Sequence, residues 1–220
     1  TNGGDTWSQI FTFSGASRIE LAVSIADPNY VYAVGAKNSS GAFAGVVKST
    51  DGGNTFSYVS TTPNILSIDV NGNEATGQGT YDLDIVVSPK DKDLVFVGGI
   101  HTWKSIDGAK TWKLLNHWTG SYSLPYVHAD QHNLIINPNN SELYNTNDGG
   151  VYITSDNGVK WKDISNGLAV TQFYKINVSP ANNEMIIGGT QDNGTLLFKG
   201  GFWAQVNGGD GMDCAIDPID

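Results

Sequence analysis

Short apolar runs that end in turn residues organise this chain. AVSIADPN, DIVVSPKD, LIINPNNS and INVSPANN each set a few β-branched or apolar residues before a proline, at Pro28, Pro89, Pro138 and Pro180. A fifth run, AIDPID, brings Pro218. Runs of this length and content, bounded by Gly, Asn, Asp and Pro, read as short strands joined by tight turns. No segment shows the 3.6-residue periodicity of an amphipathic helix of ordinary length. The pattern predicts an all-β chain.

A second marker runs out of phase with the first. Thr1 to Trp7, Ser49 to Phe56, Ser105 to Trp112 and Thr154 to Trp161 share the form Ser/Thr-x-Asp-x-Gly-x-Thr-Trp, with Asn2, Asp51, Asp107 and Asp156 at the key position. The steps of 49, 56 and 49 residues between these positions match one four-stranded propeller blade each. The motif is a hairpin device. Its carboxylate accepts backbone N–H groups across the turn, its glycine takes a positive φ, and its aromatic ring covers one side. A blade then reads as strand A, Pro turn, strand B, loop, strand C, Asp motif and strand D. This predicts blades at about 18–60, 80–118, 126–168 and 169–206, with incomplete ones at 1–13 and 211–220. The last full blade keeps only Gly200, Gly201 and Trp203 of the motif. Starting inside one motif and stopping after a strand A, the pattern predicts a ring of at least six or seven blades in the native molecule.

These repeats are similar to the Asp-box, or BNR repeat, of sialidases, sortilin-type receptors and xyloglucanase-type glycoside hydrolases. The resemblance implies a β-propeller of four-stranded antiparallel blades, in which Asp51, Asp107 and Asp156 are structural rather than catalytic. Over 126–220, YVHADQHNLIINPNN with NTNDGG, and GGTQDNG with GGDG, resemble secreted bacterial Asp-box proteins. That implies a secreted or cell-surface location and a carbohydrate-related role. No catalytic aspartate of the xyloglucanases maps onto a particular position here.

Topology then sorts the candidate chemistry. In a four-stranded antiparallel blade, the A–B and C–D turns share one rim, and the D–A and B–C connections share the other. The Asp motifs occupy the first. The second collects carboxylates, histidines, amides and aromatics at one mouth of the expected central channel. Glycoside hydrolysis needs two carboxyl groups, and Asp130 with Asp148 is the pair expected to carry it. His128, His132, Gln131, His101, Trp103, Gln191, Asp192 and Asp210 are expected to bind substrate. Trp103 and Trp118, with Tyr122 and Tyr126 nearby, offer ring faces for sugar stacking. His128-x-Asp130-x-His132, if extended, would also place three ligand types on one side of a strand; the reading adopted is no metal and no cofactor.

Composition narrows the partners. With 12 basic against 22 acidic residues, the formal charge of −10 disfavours nucleic acid and anionic lipid. No run approaches the roughly 20 apolar residues of a membrane span, so no membrane insertion is expected. The single cysteine, Cys214, permits no intrachain disulfide and reads as filler in an apolar strand. The expected partner is a carbohydrate or glycoconjugate, hydrolysed if the carboxyl pair is catalytic. The alternative is a non-catalytic module that holds a protein in the manner of sortilin-like or adhesin-like propellers, or a structural module of a larger extracellular protein.

Overall fold

The computed structural model describes residues 2–182 and 184–217. Thr1 and Pro218, both part of the repeat pattern, lie outside the described residues. Sixteen strands form four sheets, and no helix occurs among the described residues. The first sheet holds β1 (Ala16–Val23), β2 (Val31–Lys37), β3 (Phe43–Ser49) and β4 (Ser57–Ser60). The second holds β5 (Asp84–Val87), β6 (Val95–Gly98), β7 (Thr102–Ser105) and β8 (Lys113–Leu114), and the third β9 (Gln131–Ile136), β10 (Leu143–Asn147), β11 (Gly150–Thr154) and β12 (Lys162–Asp163). The fourth holds β13 (Phe173–Val178), β14 (Ile186–Thr190), β15 (Thr195–Lys199) and β16 (Phe202–Asn207). Every sheet is an antiparallel meander in chain order, the form of a propeller blade. The first three sheets belong to a compact unit reaching to Ile164; the fourth lies in a second unit beginning at Ser165.

Within the first unit the core lies between neighbouring sheets. Tyr32, Val34 and Val46 of the first sheet cluster with Ile85, Val97 and Trp103 of the second, and Ile65 and Leu66 from the long connection complete the cluster. Phe96, Leu115, Leu134 and Leu143 do the same between the second and third. The central strands β2 and β6 are buried on both faces, which explains their unbroken apolar runs. Truncating one of these side chains to alanine costs about 2–5 kcal/mol.

The Asp motifs form self-contained hairpins. Asp107 accepts hydrogen bonds from the Ser105 hydroxyl at 2.7 Å, the Thr111 amide at 3.0 Å and the Thr111 hydroxyl at 2.6 Å. Asp51 repeats the pattern with Ser49 and Thr55, and Asp156 with Thr154 and the Lys160 amide. Hydrogen bonding holds the Asp51 and Asp107 carboxyls down to about 2, in the case of Asp107 against a desolvation penalty. Motif aromatics reach between blades: the Trp112 indole N–H donates to the Ser60 hydroxyl at 3.1 Å. These hairpins share a rim with the Pro turns, since the Gly52 amide bonds the Asn29 carbonyl at 3.0 Å and Gly108 bonds Asp93 at 2.9 Å. In the fourth sheet the motif is replaced by a two-residue turn, with Gly200 and Gly201 at φ of 66° and 87°.

Three expectations need correction. Trp7 is 90% exposed and lies over Gly4 of its own turn rather than packed in a core. Met212 to Ile216 is not a strand; the chain there runs beside the β14–β15 turn, with Gly211 N–H bonded to the Thr190 carbonyl at 2.7 Å. Cys214 is therefore half-buried outside any strand, its sulfur 3.9 Å from the Lys175 carbonyl.

Candidate functional site

At the end of the blades away from the Asp motifs, the approach to β9 packs onto the β6–β7 turn. Asp130 N–H bonds the Ile100 carbonyl at 3.3 Å, and Gln131 N–H bonds Gly99 at 2.8 Å. The buried Gln131 amide donates to the Ile100 and His128 carbonyls at 3.2 and 2.7 Å. This holds Asp130 at φ 62°, a left-handed conformation that aspartate tolerates better than most residues. The β10–β11 turn closes over the His128 ring through Gly149, where an added Cβ would collide with the imidazole. In the third sheet Gln131, Asn147 and Gly150 share one end, and Ile136, Leu143 and Thr154 the other. His128 and Asp156 therefore lie at opposite ends.

This rim gathers three carboxyl groups. Asp82 is fully buried, and neither of its oxygens finds a hydrogen-bond donor on another residue; its own backbone N–H and the Asp130 carboxyl act on it, and Gln78 joins the two by accepting the Asp82 N–H at 3.1 Å and donating to Asp130. Burial first, then the negative charge of Asp130, pushes Asp82 up to about 8. Asp130 is half-buried and receives the Gln78 side-chain amide at 2.7 Å. Its carboxyl is also raised, mainly by desolvation and then by Asp148. One oxygen each from Asp130 and Asp148 lie within 4.8 Å of one another. Asp148 in turn pairs with His132 Nε2 at 2.5 Å, and the Tyr81 ring meets the His132 ring edge-on at 5.0 Å. Because Asp130 precedes β9 with a positive φ, His128, Asp130 and His132 do not line one face of an extended strand, and the expected ligand alternation does not form.

The sequence pattern does not single out Asp82 as chemistry. A signal exists: it stands seven residues before Pro89, the register that Gln131 holds before Pro138. Both side chains are fully buried at matching positions of successive blades.

Beside the carboxyl cluster lies an aromatic stack. His101 stacks on His117 at 5.0 Å and on Trp118 at 5.1 Å, His117 and Trp118 stack at 4.2 Å, and Tyr122 closes the series edge-on at 5.1 Å. Trp118 is half-buried and Tyr122 is 67% exposed. His101 itself is fully enclosed, with Nε2 at 3.3 Å from the Ile68 carbonyl. Desolvation lowers it to about 4, so it is neutral and supports the stack rather than touching a ligand. Trp103 also needs correction: it is 3% exposed within the core between the first two sheets and has no free ring face. Gln131 is likewise a scaffold, occupied with backbone carbonyls.

Gln191, Asp192 and Asp210 fall in the second unit. Asp210 accepts the Asp192 amide at 3.0 Å, and Asp192 takes a φ of 58°. Gly194 N–H bonds the Gly209 carbonyl at 2.7 Å and Thr190 Oγ1 donates to the Gly194 carbonyl at 2.6 Å. These groups clamp the β14–β15 turn against the GGDG segment.

The fold defined by these sheets is that of β-propeller blades. No protein-family model matches the chain, and no curated protein matches it in sequence. Among solved structures it is similar to a GH74 enzyme from Niastella koreensis, with a TM-score of 0.50 and 21% identity over 89% of this chain and 30% of that one. It is also similar to YCF48 from Cyanidioschyzon merolae (TM-score 0.48, 18% identity, 90% of this chain and 58% of that one). A third is the GH74 xyloglucanase of Xanthomonas campestris (TM-score 0.49, 14% identity, 87% and 38%). The chain thus spans about a third of the length of the GH74 structures it resembles.

Proposed function

We propose that this chain engages a neutral polysaccharide or glycoconjugate, at a secreted or cell-surface location, across the rim that carries Asp130, and hydrolyses it with Asp130 and Asp148. The observation that carries the reading is a half-buried carboxyl group whose pKa burial raises, set within 4.8 Å of a second carboxyl and beside a partly exposed aromatic stack. Asp130 is the acid that gives its proton to the leaving glycosidic oxygen. Asp148, oriented by His132, is the second carboxylate, acting on the anomeric carbon or its attacking water. The close approach of the two favours the narrow separation of about 5–5.5 Å associated with retention over the 6.5–9.5 Å of inversion. Trp118 and Tyr122 supply the apolar contact for a sugar ring, and His128 and His132 the polar contacts at its edge. The acidic surface suits an uncharged chain better than an anionic one.

One observation favours a second reading. The Asp148–His132 pair already occupies one carboxylate oxygen, which would suit a rim that binds sugar without turning it over. Release of reducing ends from a panel of neutral polysaccharides, alongside affinity electrophoresis in the same gels, separates the two. The hydrolytic reading expects turnover that falls at least 100-fold in Asp130→Asn and Asp148→Asn while retardation persists. Retardation without turnover leaves the binding reading; neither retardation nor turnover on any polysaccharide removes both.

A further inference from the structure

Asp82 is a fully enclosed acid whose two oxygens find no donor on another residue, and Gln78, which accepts the Asp82 N–H at 3.1 Å, donates its side-chain amide to the Asp130 carboxyl that faces the candidate site. Two ionised carboxylates in such contact would repel and lose hydration with little hydrogen bonding in return, which is costly in a water-poor interior. The charged groups around them do not cancel that cost. Arg18, from β1, is the cation acting on Asp82, but its guanidinium is committed to the Tyr81 and Leu83 carbonyls at 2.5 and 3.1 Å and to Glu20. Asp148, from the β10–β11 turn, adds negative charge, and His128 acts in the opposite sense on Asp130. Gln78 gives Asp130 one neutral N–H.

We propose that Asp82 and Asp130 hold a single proton between them, and that Asp82 is a positioning residue that keeps this proton beside the rim. Asp82 never touches a ligand. Since Asp82 sits where Gln131 sits one blade later, a carboxyl occupies a position that an amide fills elsewhere in the repeat. An amide can fill the space and form hydrogen bonds; only the carboxyl can store a proton. The catalytic part of this inference rests on the hydrolytic reading above. In the acid step, the pair's proton forms the O–H bond of the leaving hydroxyl while the C–O bond breaks and its electrons stay on that oxygen. The water that completes hydrolysis adds hydroxyl to the sugar and returns one proton to the site. Two carboxyls that share a proton titrate together, so the resulting midpoint belongs to the pair.

The test is a carboxyl carbon-13 titration of the full chain labelled at aspartate, with Asp82→Asn and Asp130→Asn used for assignment. One protonated carboxyl is expected to persist through neutral pH, with a midpoint near 8 in the unmodified protein, and to be lost in Asp82→Asn. On a hydrolysed polysaccharide, Asp82→Asn should move the alkaline limb of kcat/KM toward acid by about tenfold or more in proton concentration. Both carboxyls ionising below about pH 6 would overturn the inference, as would a titration displaced by added calcium or EDTA, which would mean a cation rather than a proton. Should Asp82→Asn fail to fold, the titration of the unmodified protein still decides. A shared proton in a protein that hydrolyses nothing leaves this inference standing and removes the hydrolytic reading; turnover without the shared proton does the reverse.

Discussion

The two rims of the first unit use the same side chain to opposite ends. On one, Asp107 sits in a turn that surrounds it with hydroxyl and amide donors, and it is held down to about 2. On the other, Asp82 is enclosed with no donor from another residue and pushed up to about 8. Burial separates them first, since Asp82 is fully enclosed and desolvation is the largest cause of its rise, whereas Asp107 is only partly enclosed. The donors around Asp107 then outweigh what desolvation it suffers. The Asp-motif rim has satisfied its own polar groups and has little left to offer a ligand, whereas the opposite rim holds carboxyl groups that burial shifts upward and a partly exposed aromatic stack.

The sharpest way to break this contrast is at the acid pair. Asp130→Asn should lower polysaccharide hydrolysis at least 100-fold with little change in thermal midpoint, because general acid catalysis contributes roughly 10²–10⁴-fold; Asp107→Asn should leave turnover within a factor of two. Asp82→Asn should act on stability in a pH-dependent way. A carboxyl raised in the folded state stabilises fully below its unfolded value near 4, and that contribution is lost as pH climbs through about 8. Denaturant unfolding of the unmodified protein should therefore weaken by a few kcal/mol between about pH 4 and 8, an effect that Asp82 shares with Asp130. Asp82→Asn should flatten that slope.

The Asp-motif rim should show the reverse sign. Asp107, lowered in the fold, stabilises above about pH 4 and loses that contribution as pH falls through about 2. Asp107→Ala should cost about 1–2 kcal/mol at neutral pH, by analogy with the loss of a capping carboxylate, with sugar binding unchanged. Smallest of all, Trp118→Ala should weaken oligosaccharide binding by about 1 kcal/mol, or fivefold, measured by calorimetry; a change at Trp103 should instead lower stability with no specific effect on affinity.

What can be read in the sequence follows the range of the interactions. The Asp hairpins are legible because their bonds close within four residues, so Ser49, Asp51 and Thr55 announce themselves as a motif. The division of turns between rims follows from strand alternation alone. Asp82 is not legible as chemistry, because its character comes from Asp130 and from enclosure by distant elements. Trp103 misleads for the same reason: its position beside the β6–β7 turn is plain in the sequence, but packing between the first two sheets buries its ring. Trp118, later in the same blade, keeps an open edge because it rests on His117 instead.

The most direct measurement is a backbone amide NMR titration with neutral glucan oligosaccharides, read at both rims of the same molecule. Shifts confined to the neighbourhood of Asp82, Asp130, His132, Asp148 and Trp118, with the Asp51, Asp107 and Asp156 hairpins unmoved, are the expected result. Saturable shifts at those hairpins while the Asp130 rim stays silent would contradict the account.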